Sequence, residues 1–239
     1  MQSTDLKSGR ASGIFQRAGS PPEAACDYVS YSLGDYDFPG VVATSLGESN
    51  LQEMGRNESV ALRTRETDQR THWHSLFYDG FDYWQWMYRS FICNVIAKLF
   101  FEPFYYQAIP TLRVHLPQNL AVGEFHTDRD YGHPEGEVTF WVPLTPAFDT
   151  NSIWIERNQG KGDFEAVAAE PGSIVIFDAA HRKHGNLVNE TGRTRVSFDF
   201  RCLLVREYVD CVIPKRSINS RLAFAPGEYY AAQALEPRQ

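Results

Sequence analysis

The second half of the chain is a succession of short runs rich in β-branched and aromatic residues, separated by Gly, Pro and Asn. This pattern begins after Pro103, where eight candidate strands fit into about 100 residues. This even spacing predicts a double-stranded β-helix, or jelly roll, of the cupin-like kind. The candidate strands are 109–116, 120–126, 137–144, 151–156, 163–167, 173–177, 185–189 and 194–204.

Before the strands, residues 63–103 have a helical pattern. Apolar side chains recur at i, i+3 and i+4 spacing, and Pro103 closes the segment; the stripe consists of Trp84, Met87, Phe91, Val95 and Leu99. Because these helices need a partner surface, we expect one mainly β domain with helices (α+β), in which N-terminal helices pack on one sheet.

That domain should span residues 23–239, with a jelly-roll core at about 104–206 and a C-terminal extension at 207–239. The polar, Ser- and Gly-rich residues 1–22 predict a mobile arm.

The last candidate strand alternates with period 2. One face carries Thr194, Val196, Phe198 and Phe200, and the other carries Arg195, Ser197, Asp199 and Arg201. If the helices cover the apolar face, the polar face points into the roll, and a partly polar interior indicates a bound ligand. Polar side chains that face solvent on ordinary two-layer strands remain the alternative.

Composition restricts the partners. The formal charge is −7, with 23 basic and 30 acidic side chains, which argues against nucleic acid or an anionic membrane. No apolar run approaches the length of a membrane span, and the N-terminus lacks the apolar core of a secretory signal. We therefore expect a cytoplasmic protein that acts on a small molecule; the sequence gives no indication of its oligomeric state.

The strand 120–126 ends in the segment Glu124-Phe125-His126-Thr127-Asp128. An extended backbone projects His126 and Asp128 to the same side, about 6.5 Å apart along the chain. An imidazole and a carboxylate so placed supply two ligands of a two-histidine, one-carboxylate triad for non-haem Fe(II), which needs a third ligand from elsewhere.

Farther along the chain, His181 and His184 follow a buried candidate strand, and Arg195 and Ser197 follow them. A guanidinium and a hydroxyl two positions apart on one strand face form a clamp for a carboxylate. A metal triad near such a clamp suits a small dicarboxylic acid that chelates the metal at one end.

Together, His126-x-Asp128, His184 and Arg195-x-Ser197 resemble the Fe(II)/2-oxoglutarate-dependent oxygenases of the jelly-roll fold. The stretches GEFHTDRDYGHPEGEVTFWVPLT and HGNLVNETGRTRVSFDFR are similar to the streptomycin-biosynthesis-type dioxygenase-like proteins. The resemblance implies that His126, Asp128 and His184 ligate Fe(II). It also implies that Arg195 and Ser197 hold the distal carboxylate of 2-oxoglutarate, and that O2 is the second cosubstrate.

Several assignments stay open. His181 also lies where the third ligand is needed, but the spacing from His184 to Arg195 and the His-Gly-Asn context match the family, so we favour His184. His133 is a weaker candidate ligand in a loop. Arg113 and His115 are candidate contacts of the cosubstrate. Further polar or aromatic residues for which packing or pairing is an equal or better explanation are Trp73, His74, 82–86, Glu124, Asp199 and Arg201.

The resulting hypothesis is a hydroxylase of a natural product, amino acid or amino sugar that releases succinate and CO2. One rival is a cupin-like isomerase or dioxygenase without 2-oxoglutarate, for which the Arg195-x-Ser197 clamp has no purpose. The other is a catalytically silent jelly-roll binding protein, which has no need of a complete triad.

Overall fold

A computed structural model describes residues 25–56, 61–210, 216–218 and 220–238. The predicted arm at 1–22 lies outside the described residues. Within them the chain forms nine strands, namely β1 (Asp27–Ser30), β2 (Phe104–Tyr106), β3 (Thr111–His115), β4 (Val138–Pro143), β5 (Ile153–Glu156), β6 (Phe164–Val167), β7 (Ser173–Phe177), β8 (His184–Gly185) and β9 (Arg195–Leu204). The helices are α1 (Phe38–Leu46), α2 (His72–Asn94) and α3 (Val205–Asp210), with 3-10 helices at Ile96–Leu99, Asp128–Tyr131 and Asp149–Asn151.

The strands form two antiparallel sheets. The larger sheet has the order β1-β7-β4-β9-β2, with β3 also paired to β9, and the smaller has the order β6-β5-β8. Strand β9 pairs with β4 along one side, while β3 and then β2 share its other side. This register sets Arg113 beside Ser197 and His115 beside Arg195.

The helices cover the outer face of the larger sheet. Helix α2 begins at the N-cap Thr71, whose side chain accepts a hydrogen bond from the backbone N–H of His74. Its apolar stripe packs on β9, where the ring centroid of Phe198 lies 6.4 Å from that of Tyr88 and 5.1 Å from that of Phe38 in α1. The predicted packing of the helices on one sheet is therefore observed.

The polar face of β9 points between the two sheets. Arg195, Ser197, Asp199 and Arg201 are all buried, with exposed fractions of 0–4%. Beside them the same interior contains an apolar cluster in which Trp141, Val175 and Phe177 of the larger sheet meet Ile153 and Ile155 of the smaller one. The inward orientation predicted from the alternation along β9 is correct.

Two of the predicted strands differ from the structure: one does not form, and the other is shorter than predicted. Residues 120–126 form no strand, and only His126 makes an isolated bridge. The segment is instead tied to the 61–68 turn, since Asn119 Oδ1 accepts from Arg63 N at 2.9 Å and Gly123 N donates to Asp68 Oδ2 at 3.1 Å. The predicted strand 185–189 shrinks to β8, because the Asn189 side-chain amide donates to the backbone carbonyls of His115 and Arg193.

Other boundaries shift as well. Strands β1 and β2 were not anticipated from the sequence pattern, since each is short and pairs at or beside an edge of the larger sheet. The helical pattern expected from residue 63 begins only at His72, and the apolar stripe continues past Asn94 in the 3-10 helix Ile96–Leu99.

Candidate metal and carboxylate site

A backbone bridge brings His126 and His184 together. His126 N donates to the carbonyl of His184 at 3.0 Å, and His184 N donates to the carbonyl of His126 at 2.9 Å. Their ring centroids are 4.6 Å apart. The close approach depends on Gly185, because a Cβ at that position would lie 2.8 Å from Cγ of Phe125. Two residues 58 positions apart in sequence thus present their imidazoles side by side.

Both imidazoles are oriented by the same local contact. Nδ1 of His126 lies 3.0 Å from the carbonyl oxygen of Glu124, and Nδ1 of His184 lies 3.1 Å from that of Arg182. A carbonyl can only accept, so each ring carries its proton on Nδ1 and leaves a lone pair on Nε2. The two Nε2 atoms therefore have the form that a metal ligand needs.

Asp128 completes the group. The backbone is extended at Thr127, as predicted, and then enters the 3-10 helix Asp128–Tyr131. Asp128 Oδ1 lies 3.9 Å from Nε2 of His126 and 3.5 Å from Nε2 of His184. One ligand atom from each of the three buried residues lies within 4.8 Å of the others, which is the spacing of donors around one ion.

The second carboxylate oxygen of Asp128 is fixed by the interior face of the larger sheet. Oδ2 accepts from Nε of Arg201 at 3.0 Å and from the hydroxyl of Thr139 at 3.4 Å. Arg201 also pairs with Asp199, whose Oδ1 accepts from Nε of Arg113 at 2.8 Å. The alternating charges balance and point Oδ1 of Asp128 at the histidines.

The surroundings of His126 and Asp128 shift their pKa values toward the protonation states that a metal ligand needs. Burial, and then the neighbouring His184, lower the pKa of His126 to about 3, so its imidazole is neutral at pH 7. Burial alone would raise the pKa of Asp128, but opposing effects, the charge of the Arg201 guanidinium first among them, outweigh it and hold that pKa well below its usual value. The group therefore offers two imidazole nitrogens and one anionic oxygen.

Arg195 lies deeper between the sheets. Its Nε donates to the carbonyl of Asn151 at 3.0 Å, and its Nη1 donates to the Ser197 hydroxyl at 3.0 Å. Nη2 lies 3.4 Å from Nδ1 of His115, and the guanidinium carbon is 5.5 Å from the ring centroid of Trp141. Among the described residues no carboxylate lies within 4.0 Å of Arg195, so this buried cation has no ion-pair partner there.

Two chambers meet at the triad. The outer chamber is a cavity of about 300 Å³ lined by His126 and Asp128 together with Asp68, Tyr78 and residues of the C-terminal segment. A smaller inner chamber is lined by His126, His184 and Arg195. Residues shared by both linings are Arg113, Val122, His126 and Arg201.

The structure separates the competing histidines. His181 pairs with Asp178, with Nδ1 2.9 Å from Oδ1, and stands outside the His126–Asp128–His184 group. His133 pairs with Glu137, with Nδ1 2.6 Å from Oε2, and this pair forms a second cluster with Asp128. His115 is buried beside Arg195 and lines neither chamber.

Several residues of the outer chamber were missed by sequence reasoning. Tyr78 of α2 and the C-terminal residues Ser217, Leu222 and Tyr229 line it, whereas Trp73 and His74 are buried away from it. Glu124 Oε1 accepts from the Tyr131 hydroxyl at 3.2 Å, and the ring of Tyr131 packs on His126. No local pattern marks these residues, because long-range folding brings them to the chamber.

Comparison with known proteins identifies the family. No family model matches the chain. The streptomycin biosynthesis protein StrG of Streptomyces griseus is 40% identical over 200 residues, which are 84% of this chain and 94% of StrG. The chain belongs to the StrG family. The resemblance to streptomycin-biosynthesis-type proteins predicted from the motifs is thereby confirmed.

Solved structures share the fold of this StrG-family chain. EctD from S. alaskensis with bound Fe has a TM-score of 0.54 at 12% identity, covering 87% of this chain and 80% of EctD. EctD with 2-oxoglutarate and 5-hydroxyectoine has a TM-score of 0.53 at 12% identity and the same coverage. The resemblance to Fe(II)/2-oxoglutarate-dependent oxygenases is thus confirmed at the level of the fold.

Across the described residues, none of the helices combines the length and the apolar character that crossing a bilayer requires. The cytoplasmic location stays a prediction.

Proposed function

We propose that this StrG-family protein is an Fe(II)- and 2-oxoglutarate-dependent oxygenase that hydroxylates a small molecule. In this proposal residues 23–239 form one domain, and its two sheets are the halves of a jelly roll. His126, Asp128 and His184 ligate Fe(II), and Arg195 with Ser197 binds the distal carboxylate of 2-oxoglutarate.

The donor set supports Fe(II). Two imidazole Nε2 atoms and one carboxylate oxygen converge from three buried residues. This is the two-histidine, one-carboxylate combination of non-haem Fe(II) sites, which leaves further coordination positions for ligands. The Nδ1–H contacts with backbone carbonyls and the Arg201–Asp128 pair supply the surrounding support that metal ligands need.

The observation that carries the assignment of 2-oxoglutarate is the guanidinium of Arg195. It is 1% exposed and has no carboxylate within 4.0 Å among the described residues. A buried charge without a counter-charge is costly, and a bound carboxylate compensates it with a two-pronged hydrogen bond. Ser197, which accepts from Arg195, can turn its hydroxyl toward the same carboxylate.

The two chambers support separate binding sites, with the cosubstrate in the inner chamber and the substrate in the outer one. When bound, Fe(II) supplies oxidative chemistry that couples decarboxylation of 2-oxoglutarate, to succinate and CO2, to oxidation of the substrate by O2. The inner chamber orients the cosubstrate, and the apolar side chains of Trp141, Ile153 and Phe177 exclude water around it. The outer chamber has the size of a small-molecule site.

Two further residues receive roles in the proposal. Arg113 lines both chambers while paired with Asp199, so it is positioned to contact the cosubstrate. His115 lies behind Arg195, and its pKa is lowered to about 3 by burial and by Arg195. We assign it the positioning of that guanidinium.

An anaerobic titration tests the proposal. Fe(II) and 2-oxoglutarate together should give the weak visible charge-transfer band of such chelates with the wild-type protein. Arg195→Met should weaken 2-oxoglutarate binding roughly 100-fold, because two charge-assisted hydrogen bonds are lost. Arg193→Met is the matched control, since Arg193 lies two residues earlier and is half-exposed against Glu53.

The titration also separates the rivals. A band that forms equally well in Arg195→Met would show that the clamp is elsewhere. Fe(II) binding without any effect of 2-oxoglutarate would favour a cupin-like enzyme that needs no cosubstrate. Failure of the wild-type protein to bind Fe(II) would favour a silent binding protein.

A further inference from the structure

A buried carboxylate in the outer chamber has no role in the triad. Asp68 lies in the turn that precedes α2, where its backbone N–H donates to the carbonyl of Thr64 at 2.9 Å. Its side chain lines the outer chamber and is 5% exposed. Oδ2 accepts from the backbone N–H of Gly123 at 3.1 Å. The described residues give no hydrogen bond to Oδ1.

Asp68 also lacks a counter-charge. Among the described residues no Lys, Arg or His nitrogen lies within 4.0 Å of its carboxylate, whereas the two other acids that line the chamber each have such a partner. Asp128 pairs with Arg201 at 3.0 Å, and the exposed Glu228 lies 3.6 Å from Arg216. Among the described residues, Asp68 is therefore the buried carboxylate that lines this chamber without an ion-pair partner.

The surroundings disfavour its charged form. Burial raises the pKa of Asp68, and the more distant Arg113 and Arg63 guanidiniums and the Gly123 N–H offset part of this effect. A ligand cation placed against Oδ1 would remove the desolvation cost, because opposite charges in a dry cavity attract strongly.

We propose that Asp68 binds an ammonium or guanidinium group of the substrate, so that the outer chamber accepts a small organic cation. The oxidation of that cation rests on the proposed function, but its binding at Asp68 does not. The two arginines that line the chamber do not oppose it, since Arg113 is paired with Asp199 and Arg201 with Asp128 and Asp199.

A purely structural role is the alternative. Gly123 packs so tightly that a Cβ there would lie 2.2 Å from the backbone nitrogen of Arg65, and the Asp68–Gly123 bond helps to fix this contact. Asp68→Asn separates the two roles. The amide keeps a carbonyl oxygen for the Gly123 N–H and removes only the negative charge.

The test measures binding by calorimetry, with the apoprotein and with protein loaded with Ni(II) and 2-oxoglutarate, which does not turn over. The probes are pairs that differ in charge but hardly in shape: D-glucosamine with D-glucose, an inosamine with inositol, and L-arginine with L-citrulline. For at least one pair we expect the wild-type protein to bind the cation roughly 10- to 100-fold more tightly than its neutral partner.

Asp68→Asn should abolish this preference, whereas Asp35→Asn should retain it. Asp35 is exposed in the loop after β1, so its variant makes the same change in net charge far from the chamber. Equal affinity for charged and neutral partners, or no binding of any cation at about 10 mM, would overturn the proposal. These comparisons within the wild-type protein remain decisive if Asp68→Asn does not fold.

The two proposals fail separately. A cation preference that depends on Asp68, in a protein that binds no 2-oxoglutarate, would contradict the proposed function and leave this inference standing. Binding of 2-oxoglutarate together with equal affinity for charged and neutral probes would contradict this inference and leave the proposed function standing.

Discussion

At the scale of single residues, Arg195 is deeply buried and has no ion-pair partner among the described residues. Burial, and then the like charge of Arg113, lower its pKa to about 9, so the guanidinium is still charged at pH 7. A cation whose pKa is lower in the folded than in the unfolded protein destabilises the fold at every pH where it stays charged. Ligand-free protein therefore carries an electrostatic cost that a bound carboxylate would relieve.

This cost predicts that Arg195→Met stabilises the ligand-free protein. The substitution removes the buried charge but also removes one hydrogen bond to the carbonyl of Asn151 and one to the Ser197 hydroxyl, which cancels part of the gain. We expect a net increase of about 1 kcal/mol in the free energy of unfolding, or about 3 °C in Tm.

Thermal unfolding with and without Ni(II) and 2-oxoglutarate measures this effect. Ni(II) alone should raise the Tm of all three proteins, because each keeps the His126–Asp128–His184 group. Added 2-oxoglutarate should raise it further in the wild-type protein and in Arg193→Met, and hardly at all in Arg195→Met. A ligand-free Arg195→Met protein less stable than wild type by more than about 1 kcal/mol would mean that Arg195 is mainly a structural residue.

At the scale of elements, β9 shows what the sequence can predict. Alternation with period 2 is a local property, so the pattern places Arg195, Ser197, Asp199 and Arg201 on one face before any partner strand is known. The pairing of Arg201 with Asp128 could not be predicted in the same way, because it spans 73 residues and depends on how β9 packs against the 3-10 helix at Asp128.

The segment 120–126 shows the opposite case. Its pattern of apolar and polar residues suggests a strand. The side chain of Asp68, which lies in a distant turn, instead accepts a hydrogen bond from the backbone N–H of Gly123. A single bridge between His126 and His184 brings the two residues together, although the predicted strand 120–126 does not form. The grouping of His126, Asp128 and His184 in space could be predicted from their residue types, whereas the backbone that holds them together could not.

That bridge makes Gly185 a sensitive position. A methyl group at Gly185 would press on the ring and backbone of Phe125, with contacts of 2.8–3.0 Å, and would push His184 away from His126. We expect Gly185→Ala to weaken Ni(II) binding about tenfold or more, since a shift of a few tenths of an ångström degrades ligand geometry.

Calorimetry with Ni(II) measures the effect of Gly185→Ala. Gly34→Ala is the control, because the nearest atom to a Cβ there is Oγ of Ser32 at 3.6 Å, an ordinary contact. Unchanged Ni(II) affinity in a folded Gly185→Ala protein would show that the bridge tolerates displacement.

At the scale of the whole molecule, the larger sheet separates two kinds of interior. Its outer face is an aromatic core against the helices, and its inner face carries the charged residues of the site. His74 of α2 links these layers, since its Nε2 lies 3.2 Å from the carbonyl of Leu112 in β3. A proton gained by His74 would therefore place a charge where helix and sheet meet.

Stability should consequently fall as the pH falls. Burial, and then the charge of Arg113, lower the pKa of His74 to about 4, against 6.5 in an unfolded chain. Between these values the unfolded protein binds more protons, so the free energy of unfolding rises with pH and is lost on acidification. For His74 the loss between about pH 7 and pH 4 amounts to about 3 kcal/mol.

Urea denaturation of metal-free protein between about pH 7 and pH 4 tests this slope. His74→Gln can still donate to the Leu112 carbonyl but cannot titrate, so its pH dependence should be shallower by about 3 kcal/mol over that range. His72→Gln, exposed at the start of the same helix, is the control. A slope that is equal in wild type and His74→Gln would assign the acid lability to other groups, with His115 next to be tested, since burial and Arg195 lower its pKa to about 3.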